Sequence, residues 1–286
     1  MKGILSKVAY TFAFIFLGIS SVNSFANTQN IEVFNGKPVP RNYAKWQAAI
    51  HLTNKKVSDG LVCGGSIIAR GWILTAAHCF YDRSTKQRFP EDLLLVSYGS
   101  VALDGKRTFA HINKVHIQNY AYGLPANDIA LVQTDDDLGS DFMPLAEQQD
   151  QNLELGELGV VGWGETEKSF VSNILLYATM NAYPYTNCKQ FYPEIPAGVL
   201  CAGNKGTDTC HGDSGGPLYA IKNNNIVQVG ITIAGDGCGV KPGLYSSVRF
   251  YLKWIDQTLQ VTGSQRVPYN NVIATCDAKA VKNGIC

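Results

Sequence analysis

The sequence lacks most of the patterns that mark nucleic-acid-binding, metal-binding or fibrous proteins. No long block of Lys or Arg is present and the formal net charge is +1, which disfavours nucleic acid or an anionic membrane surface as a main partner. No Cys-x-x-Cys pair occurs, and no internal repeat or low-complexity tract is found. The composition, 45% apolar and 16% charged over 286 residues, is typical of a globular protein with one large or two small cores.

No apolar run reaches the roughly 20 residues that a membrane-spanning helix needs. The run VAYTFAFIFLGI, residues 8–19, follows Lys2 and Lys7 and leads to a small-residue exit that ends at Ala26. This order predicts a secretory signal peptide over residues 1–26, with an uncleaved anchor as the alternative. We therefore expect a secreted protein, extracellular or periplasmic in a Gram-negative source, whose mature form is not held in a membrane.

Eight cysteines are present, and export would place them in an oxidising compartment. The even number favours four disulfides, and the absence of Cys-x-x-Cys pairs disfavours metal. Spacing alone leaves the pairing open, although Cys276 and Cys286 are near enough in sequence to close a small terminal loop. Neither a metal nor a cofactor is predicted.

Helical periodicity is scarce until the end of the chain, and short apolar or alternating runs recur instead. Such runs, separated by Gly, Asn, Asp and Pro, predict an all-β fold, and a body of about 230 residues favours two packed barrels. Tyr251, Ile255 and Leu259 recur every four residues, which predicts a C-terminal helix that stops near Gly263. The predicted strands include QAAIHL (47–52), GSIIA (65–69), WILT (72–75), LLLVSYG (93–99), DIALVQ (128–133), LGVVGWG (158–164), LLYATM (175–180), PLYAI (217–221), IVQVGITIAG (226–235) and GLYSSV (243–248).

The stretch DTCHGDSGGP, residues 208–217, contains a candidate nucleophile, Ser214. Its glycines permit a sharp turn in which the N–H groups of Gly212 and Ser214 converge on a developing oxyanion. A tight surface turn without chemistry is the alternative, since short motifs of this kind occur in many loops. A serine hydroxyl becomes nucleophilic only beside a base that is itself oriented by a further group.

The best candidate for that base among five histidines is His78, in WILTAAHC. Small residues precede it and Cys79 follows it, so a disulfide would fix its turn. The candidate acid is Asp128, at the start of the apolar strand NDIAL, where a carboxylate is costly unless a partner satisfies it. The other histidines are interpreted as surface or otherwise satisfied side chains.

These three motifs, WILTAAHC, NDIAL and DTCHGDSGGP in this order, resemble those of the chymotrypsin-like (trypsin-type) serine peptidases. The resemblance runs from about Val33 to Thr262 and includes VGWGET, VLCAG and KPGLYSSV. It implies two packed antiparallel six-stranded β-barrels, a C-terminal α-helix and an active site in the cleft between the barrels. It also implies His78 as general base and acid, Asp128 as its orienting partner, Ser214 as nucleophile, and the N–H groups of Gly212 and Ser214 as the oxyanion hole.

The resemblance further implies which cysteines pair. Each short disulfide loop would contribute about 2–4 kcal/mol to stability. The segment between residues 99 and 128 lacks the acidic loop that binds calcium in typical trypsins, so no calcium site is expected. The implied pairs are Cys63–Cys79, Cys188–Cys201 and Cys210–Cys238, which leaves Cys276 with Cys286.

Substrate preference follows from the residue six positions before the nucleophile, which forms the floor of the specificity pocket in the family. Here it is Asp208, which implies cleavage after Arg or Lys, with Thr209 as a further hydrogen-bond donor. Gly235 and Gly243 match the wall positions that must be small. Ile233 and Ala234 replace the usual Ser-Trp before Gly235, which removes a hydroxyl near the catalytic acid and an aromatic platform for the substrate.

The resemblance also implies a zymogen. Counting back from Trp46 places the mature start at Val33, which gives a pro-segment of residues 27–32, a peptidase domain of residues 33–262 and an extension of residues 263–286. The new ammonium of Val33 would pair with Asp213 and order the oxyanion turn. The bond cut would follow Glu32, so an activating protease other than the enzyme itself is expected.

A non-catalytic binding protein on the same fold is the rival interpretation. The presence of all three triad residues and the oxyanion glycine favours the enzyme. Its expected partners are protein or peptide substrates, the activating protease and protein inhibitors, and the expected state is a monomer.

Overall fold

The computed structural model describes residues 36–103, 106–166, 169–204, 206 and 208–268. Antiparallel strands dominate, and they close into two six-stranded barrels, as the sequence predicted. The signal peptide, the pro-segment with Val33, and Cys276 and Cys286 lie outside the described residues. Those predictions therefore stay predictions.

The first barrel is built from strands that are buried along most of their length, except β6, which alternates buried with exposed side chains. A two-residue strand, β1 (Lys37–Pro38), precedes it and pairs with a strand of the other barrel. Inside the barrel, Ile50 lies opposite Val96 and Ile67 lies opposite Ile73, so branched apolar side chains fill the interior. Its strands, in the closed order β2-β3-β4-β7-β6-β5, are β2 (Gln47–Leu52), β3 (Leu61–Ala69), β4 (Trp72–Thr75), β5 (Leu94–Tyr98), β6 (Thr108–Ile117) and β7 (Ala130–Thr134).

The second barrel closes because its first strand pairs with strands on both sides. Pairing runs β8-β9-β10-β13-β12-β11 and returns to β8. Leu158, Val160, Leu218 and Val229 belong to its buried apolar core. The strands are β8 (Glu157–Gly162), β9 (Leu176–Tyr183), β10 (Val199–Gly203), β11 (Pro217–Lys222), β12 (Asn225–Ala234) and β13 (Gly243–Ser247).

The helices are few and short except at the end. Three 3-10 helices span Ala77–Phe80, Glu91–Leu93 and Gln148–Leu155, and α1 spans Tyr185–Cys188. The C-terminal helix α2 (Val248–Val261) buries the predicted apolar stripe, and Ser247 caps it by accepting a hydrogen bond from the N–H of Phe250 at 3.2 Å. Gly263, with φ of +75°, follows its end.

Disulfides link Cys63 with Cys79, Cys188 with Cys201, and Cys210 with Cys238, as the resemblance implied. Each joins two points within one barrel. Across the described part of the chain, no helix is long and apolar enough to cross a membrane.

Hydrogen bonds join the two barrels where the catalytic candidates lie. The N–H of Gly64 donates to the carbonyl of Ser214 at 2.8 Å, and the hydroxyl of Ser66 donates to Gln228 at 2.6 Å. The cleft between the barrels is therefore fixed by strand β3 of one and by the serine turn and strand β12 of the other.

Candidate active site

His78 and Asp128 lie close together because the end of strand β4 pairs with the start of strand β7. Thr75, the last residue of β4, pairs with Ala130, the first residue of β7. His78 lies in the 3-10 helix that follows β4, and Asp128 lies just before β7. The Cys63–Cys79 disulfide ties the histidine's turn to β3.

The two side chains form a short, two-point contact. Nδ1 of His78 lies 2.8 Å from Oδ2 of Asp128, and the backbone N–H of His78 donates to Oδ1 at 2.9 Å. Asp128 is buried, with 3% of its surface exposed. Because an ionised carboxylate only accepts hydrogen bonds, Nδ1 donates to it, and Nε2 of the neutral imidazole is left as a free acceptor.

Ser214 lies at the centre of a turn that backbone hydrogen bonds hold on both sides. The N–H of Asp213 donates to the carbonyl of Cys210 at 3.0 Å, and the N–H of Gly215 donates to Thr232 at 2.8 Å. Gly212 has φ of +95°, a conformation that favours glycine. Among the residues described, the N–H groups of Gly212 and Ser214 donate to no other group, so both are available to an incoming oxygen.

The turn and the histidine line one cleft of about 440 Å³. Its remaining walls come from the segment between Thr232 and Cys238. Ser214 is half-buried and His78 faces the same space, so nucleophile and base candidates meet in a partly enclosed volume. The residues lining this cleft include His78, Arg83, Thr209, His211, Ser214, Thr232, Ala234, Gly235 and Gly237.

Asp208 is buried beside this cleft, with 1% of its surface exposed. Its carboxylate accepts hydrogen bonds from the N–H of Thr209 at 2.8 Å and of Gly239 at 3.4 Å. Burial raises the pKa of Asp208 to about 7, and nearby Asp213 adds to the effect. Hydrogen bonds from these two backbone N–H groups and from the Thr209 side chain only partly offset it. No cationic side chain pairs with it within the described residues.

The two glycines predicted as pocket walls flank Asp208. A Cβ on Gly243 would lie 2.9 Å from Oδ1 of Asp208, and a Cβ on Gly235 would lie 3.9 Å from Oδ2. Side chains at these positions would therefore crowd or cover the carboxylate. The hydroxyl of Thr209 is 3.1 Å from that of Tyr245, so it is engaged within the protein.

Asp213 points away from the cleft into a cradle of backbone. Its carboxylate accepts hydrogen bonds from the N–H of Gly164 at 2.8 Å and of Cys210 at 3.0 Å. A Cβ on Gly162 would lie 1.9 Å from Oδ1, so only glycine leaves room for this side chain. Burial raises the pKa of Asp213 to about 6, with these N–H donors acting in the opposite direction. Its predicted partner, Val33, lies outside the described residues.

Ile233 and Ala234, which stand where the family usually has Ser-Trp, offer no hydroxyl to the candidate acid Asp128. Ile233 is buried and offers no hydroxyl, whereas Ala234 is exposed and lines the cleft. Ser246 on β13 instead donates its hydroxyl to the carbonyl of Asp128 at 2.8 Å. This contact was not predictable from the sequence, because no motif links the two residues.

Two further histidine contacts escaped the sequence analysis. His211, beside the serine turn, has its Nδ1 2.8 Å from a carboxylate oxygen of Glu165. His51 is buried, with Nε2 2.6 Å from the hydroxyl of Ser97 and Nδ1 2.9 Å from the carbonyl of Val57. Burial lowers the pKa of His51 to about 4, and nearby Arg107 adds to the effect.

Two groups of side chains bring potential metal-ligand atoms close together, but their cysteines are not available as thiolates. They are Cys63 with His78 and Cys79, and Cys210 with His211 and Cys238. Both cysteines of each group are joined in a disulfide. Because thiolates are the sulfur ligands of metals, these groups are not candidate metal sites.

Comparison with known proteins gives the family. The Trypsin family model matches residues 33–255. The chain belongs to the trypsin family. This is a family of serine endopeptidases, and the resemblance seen in the sequence is thereby confirmed.

Its relatives are peptidases of different sizes. The chain is 34% identical to tissue-type plasminogen activator of Sus scrofa over 242 residues, a match that covers 73% of this chain and 42% of that protein. It is 32% identical to melanization protease 1 of Drosophila melanogaster over 268 residues, covering 80% of this chain and 66% of that protein. The chain therefore spans about two fifths of the plasminogen activators it matches.

Proposed function

We propose that this chain is a secreted serine endopeptidase that hydrolyses peptide bonds after Arg or Lys through an acyl-enzyme. The observation that carries the proposal is the short His78–Asp128 contact in a cleft shared with Ser214 and bordered by buried Asp208. Membership of the trypsin family supports the same assignment.

In the first step, Nε2 of His78 accepts the proton of the Ser214 hydroxyl while the serine oxygen attacks the carbonyl carbon of the substrate. Asp128 holds Nδ1 protonated, so Nε2 is the free acceptor. His78 then gives the proton to the departing amine. Water attacks the resulting ester by the same route, and Ser214 is regenerated.

The negative oxygen of each tetrahedral intermediate accepts hydrogen bonds from the N–H groups of Gly212 and Ser214. Neither N–H group donates to another acceptor in the described structure, so no existing hydrogen bond must break when charge develops. Each such donor is worth about 10²–10³ in kcat in comparable sites.

Preference for Arg or Lys follows from Asp208. A carboxylate that is buried without a cationic partner gains most from a substrate that brings one. Gly235 and Gly243 leave the approach open to a long side chain. Thr209 lines the cleft beside Asp208.

Activation is proposed to follow cleavage before Val33. Asp213 supports this idea, because it is buried and accepts only backbone hydrogen bonds in the described structure. An ammonium group folded into that space would stabilise its ionised form. N-terminal sequencing of the active protein tests the proposal, and a start at any residue other than Val33 contradicts the latch.

The decisive experiment combines a substrate panel with a serine variant. Peptides that differ only in the residue before the cleaved bond should be hydrolysed fastest with Arg or Lys there, and equal or faster cleavage after Leu or Phe contradicts the role of Asp208. Ser214→Ala should lower kcat by at least about 10⁴-fold with an unchanged circular dichroism spectrum. A non-catalytic binding protein would show no turnover in either form.

A further inference from the structure

His211 lies in the serine turn, directly before Gly212, and its side chain pairs with Glu165. Nδ1 of His211 lies 2.8 Å from Oε2 of Glu165, and it donates the hydrogen because a carboxylate only accepts. The two side chains are 67% and 29% exposed, and ion pairs at such exposure contribute little to stability. Neither the proposed triad nor the specificity pocket uses this pair, so its effect is expected on the turn that carries it.

Glu165 makes a second contact with the same residue through its backbone. The N–H of Glu165 donates to the carbonyl of His211 at 2.6 Å. That carbonyl belongs to the same peptide group as the N–H of Gly212, the proposed oxyanion donor. The peptide group is planar and trans, as no cis peptide bond occurs among the described residues, so its C=O and N–H point in opposite directions. Because the carbonyl is directed toward Glu165, the N–H of Gly212 is directed away from it.

The orientation of this peptide group depends on such contacts, because Gly212 itself restrains the backbone little. Its φ of +95° is open to glycine, but glycine also adopts many other conformations at low cost. A rotation of the peptide group would break the hydrogen bond to Glu165 and turn the oxyanion donor to another direction. Glu165 opposes this rotation at two points, with its N–H on the carbonyl of His211 and its carboxylate on the imidazole.

The segment that carries Glu165 is itself firmly held. Trp163 is buried, and its indole N–H donates to the carbonyl of Val101, between two strands of the first barrel, at 2.8 Å. The N–H of Gly164 donates to Oδ1 of Asp213 at 2.8 Å. Consecutive N–H groups, at residues 164 and 165, thus bind the serine turn on either side of Gly212.

From these contacts we infer that Glu165 and His211 are positioning residues of the oxyanion hole, which hold the peptide group between residues 211 and 212 so that the N–H of Gly212 stays oriented toward the developing oxyanion. The inference rests on the proposed function, because it takes Gly212 to be an oxyanion donor. Neither side chain acts on the reacting atoms. Their effect should therefore appear when charge develops on the substrate oxygen, and not when the substrate binds.

The first test separates kcat from KM on an amide substrate with Arg before the cleaved bond. Glu165→Ala should lower kcat and kcat/KM by the same factor of about 10, with KM unchanged, because part of one oxyanion donor is lost. Glu91→Ala is the matched control: it removes another partly exposed ion pair, to Arg88 at 2.7 Å, and Glu91 lines neither the active cleft nor the adjoining groove. Equal losses in both variants, or no loss in E165A, overturn the inference.

A double-mutant cycle tests whether the two side chains act through one contact. His211→Ala should also lower kcat by about 10-fold, and E165A/H211A should lose no more than either single variant. His211→Asn should recover most of the kcat, because the Asn amide supplies a hydrogen donor near the place of Nδ1. Losses that multiply in the double variant, or an H211N enzyme as slow as H211A, contradict the shared contact.

Two ligands separate the oxyanion hole from the specificity pocket. With a peptide that ends in an arginine aldehyde, the serine oxygen bonds to the aldehyde carbon, the serine proton passes to His78, and the former carbonyl oxygen becomes negative. Glu165→Ala should raise the Ki of this aldehyde by about 10-fold. The Kd of benzamidine, which brings a cation but no carbonyl carbon, should stay within about twofold. Parallel weakening of both ligands would mean a disordered pocket and overturns the positioning role.

The same measurements distinguish failure of this inference from failure of the proposed function. A wild-type protein that neither hydrolyses the Arg substrate nor binds the aldehyde contradicts the proposed function, and the positioning role fails with it. Wild-type turnover that Glu165→Ala leaves unchanged contradicts the positioning role alone.

Discussion

In the first barrel, Asp128 is buried beside His78, which donates hydrogen bonds to both of its carboxylate oxygens. In the second barrel, Asp208 and Asp213 are buried to a similar degree, but no cationic side chain of the described residues pairs with either. Asp213 accepts hydrogen bonds from backbone N–H groups, and Asp208 accepts them from backbone N–H groups and from the Thr209 side chain. Burial raises the pKa of Asp208 to about 7 and that of Asp213 to about 6.

The contact of Asp128 with His78 is complete, because both partners belong to the described structure. The contacts of Asp208 and Asp213 are incomplete, because no cationic side chain of the described residues pairs with them. The carboxylate of the first barrel has its proton donor within the fold. Those of the second barrel are held ready for positive charge from elsewhere: a substrate side chain at Asp208 and a new N-terminus at Asp213 in the proposed function. Chemistry is thus assigned to a contact that exists before substrate arrives, and specificity and activation to contacts that do not.

The largest expected effect comes from breaking the complete contact. Asp128→Asn should lower kcat by about 10⁴-fold for every substrate, because the amide no longer holds the Nδ1–H tautomer of His78. Steady-state kinetics on an Arg and a Leu substrate measure this effect. A loss confined to the Arg substrate would contradict the assignment of Asp128.

Removing the Asp208 carboxylate should slow the cleavage of Arg and Lys substrates more than that of other substrates. Asp208→Asn is expected to lower kcat/KM for Arg and Lys substrates by about 10²- to 10³-fold, because the bound cation then has no buried counter-charge. Turnover of a Leu substrate should change little, since the triad is intact. Equal losses on both substrates would show that Asp208 supports the fold of the site and not its specificity.

The raised pKa of Asp208 predicts a pH dependence of binding that is separate from catalysis. Protonation makes this carboxyl neutral, so affinity for a cation is highest well above pH 7 and falls as the pH drops through 7. In Ser214→Ala, the Kd for benzamidine should rise about 10-fold from pH 8 to pH 6, as the ionised fraction falls. Asp208→Asn in the same background should bind weakly at every pH. A Kd that is flat across this range contradicts the prediction.

The smallest effect is on stability. The pKa of Asp208 is raised from 3.8 to about 7 in the folded protein, so its stabilising contribution is present below pH 3.8 and is lost as pH rises toward 7. Asp208→Asn avoids the cost of the buried charge and should raise the free energy of unfolding at pH 8 by about 2 kcal/mol. Urea denaturation at pH 8 measures it. A less stable variant would mean that lost hydrogen bonds outweigh the removed charge.

Much of the fold was predictable because its signals are local. The runs QAAIHL and WILT are strands with the predicted bounds, and the stripe of Tyr251, Ile255 and Leu259 lies on α2. The family motifs likewise led to His78, Asp128 and the serine turn, because the residues that present each side chain are adjacent to it in sequence.

The rest depends on contacts between distant segments that carry no pattern. Nothing near Ser246 indicates that it donates to the carbonyl of Asp128. This contact arises only when the barrels pack. The raised pKa values of Asp208 and Asp213 follow from burial, and the burial of these residues cannot be predicted from the motif DTCHGDSGGP alone.

The C-terminal helix also sets when the site can be assembled during synthesis. The hydroxyl of Tyr251 on α2 accepts a hydrogen bond from the N–H of Asn127 at 3.0 Å and donates to its side chain at 3.3 Å. Asn127 immediately precedes Asp128, whose carbonyl is held by Ser246. The loop that presents Asp128, the proposed catalytic acid, thus acquires these supports only after residues 246 and 251 have been made. A nascent chain that stops before residue 246 lacks both of them.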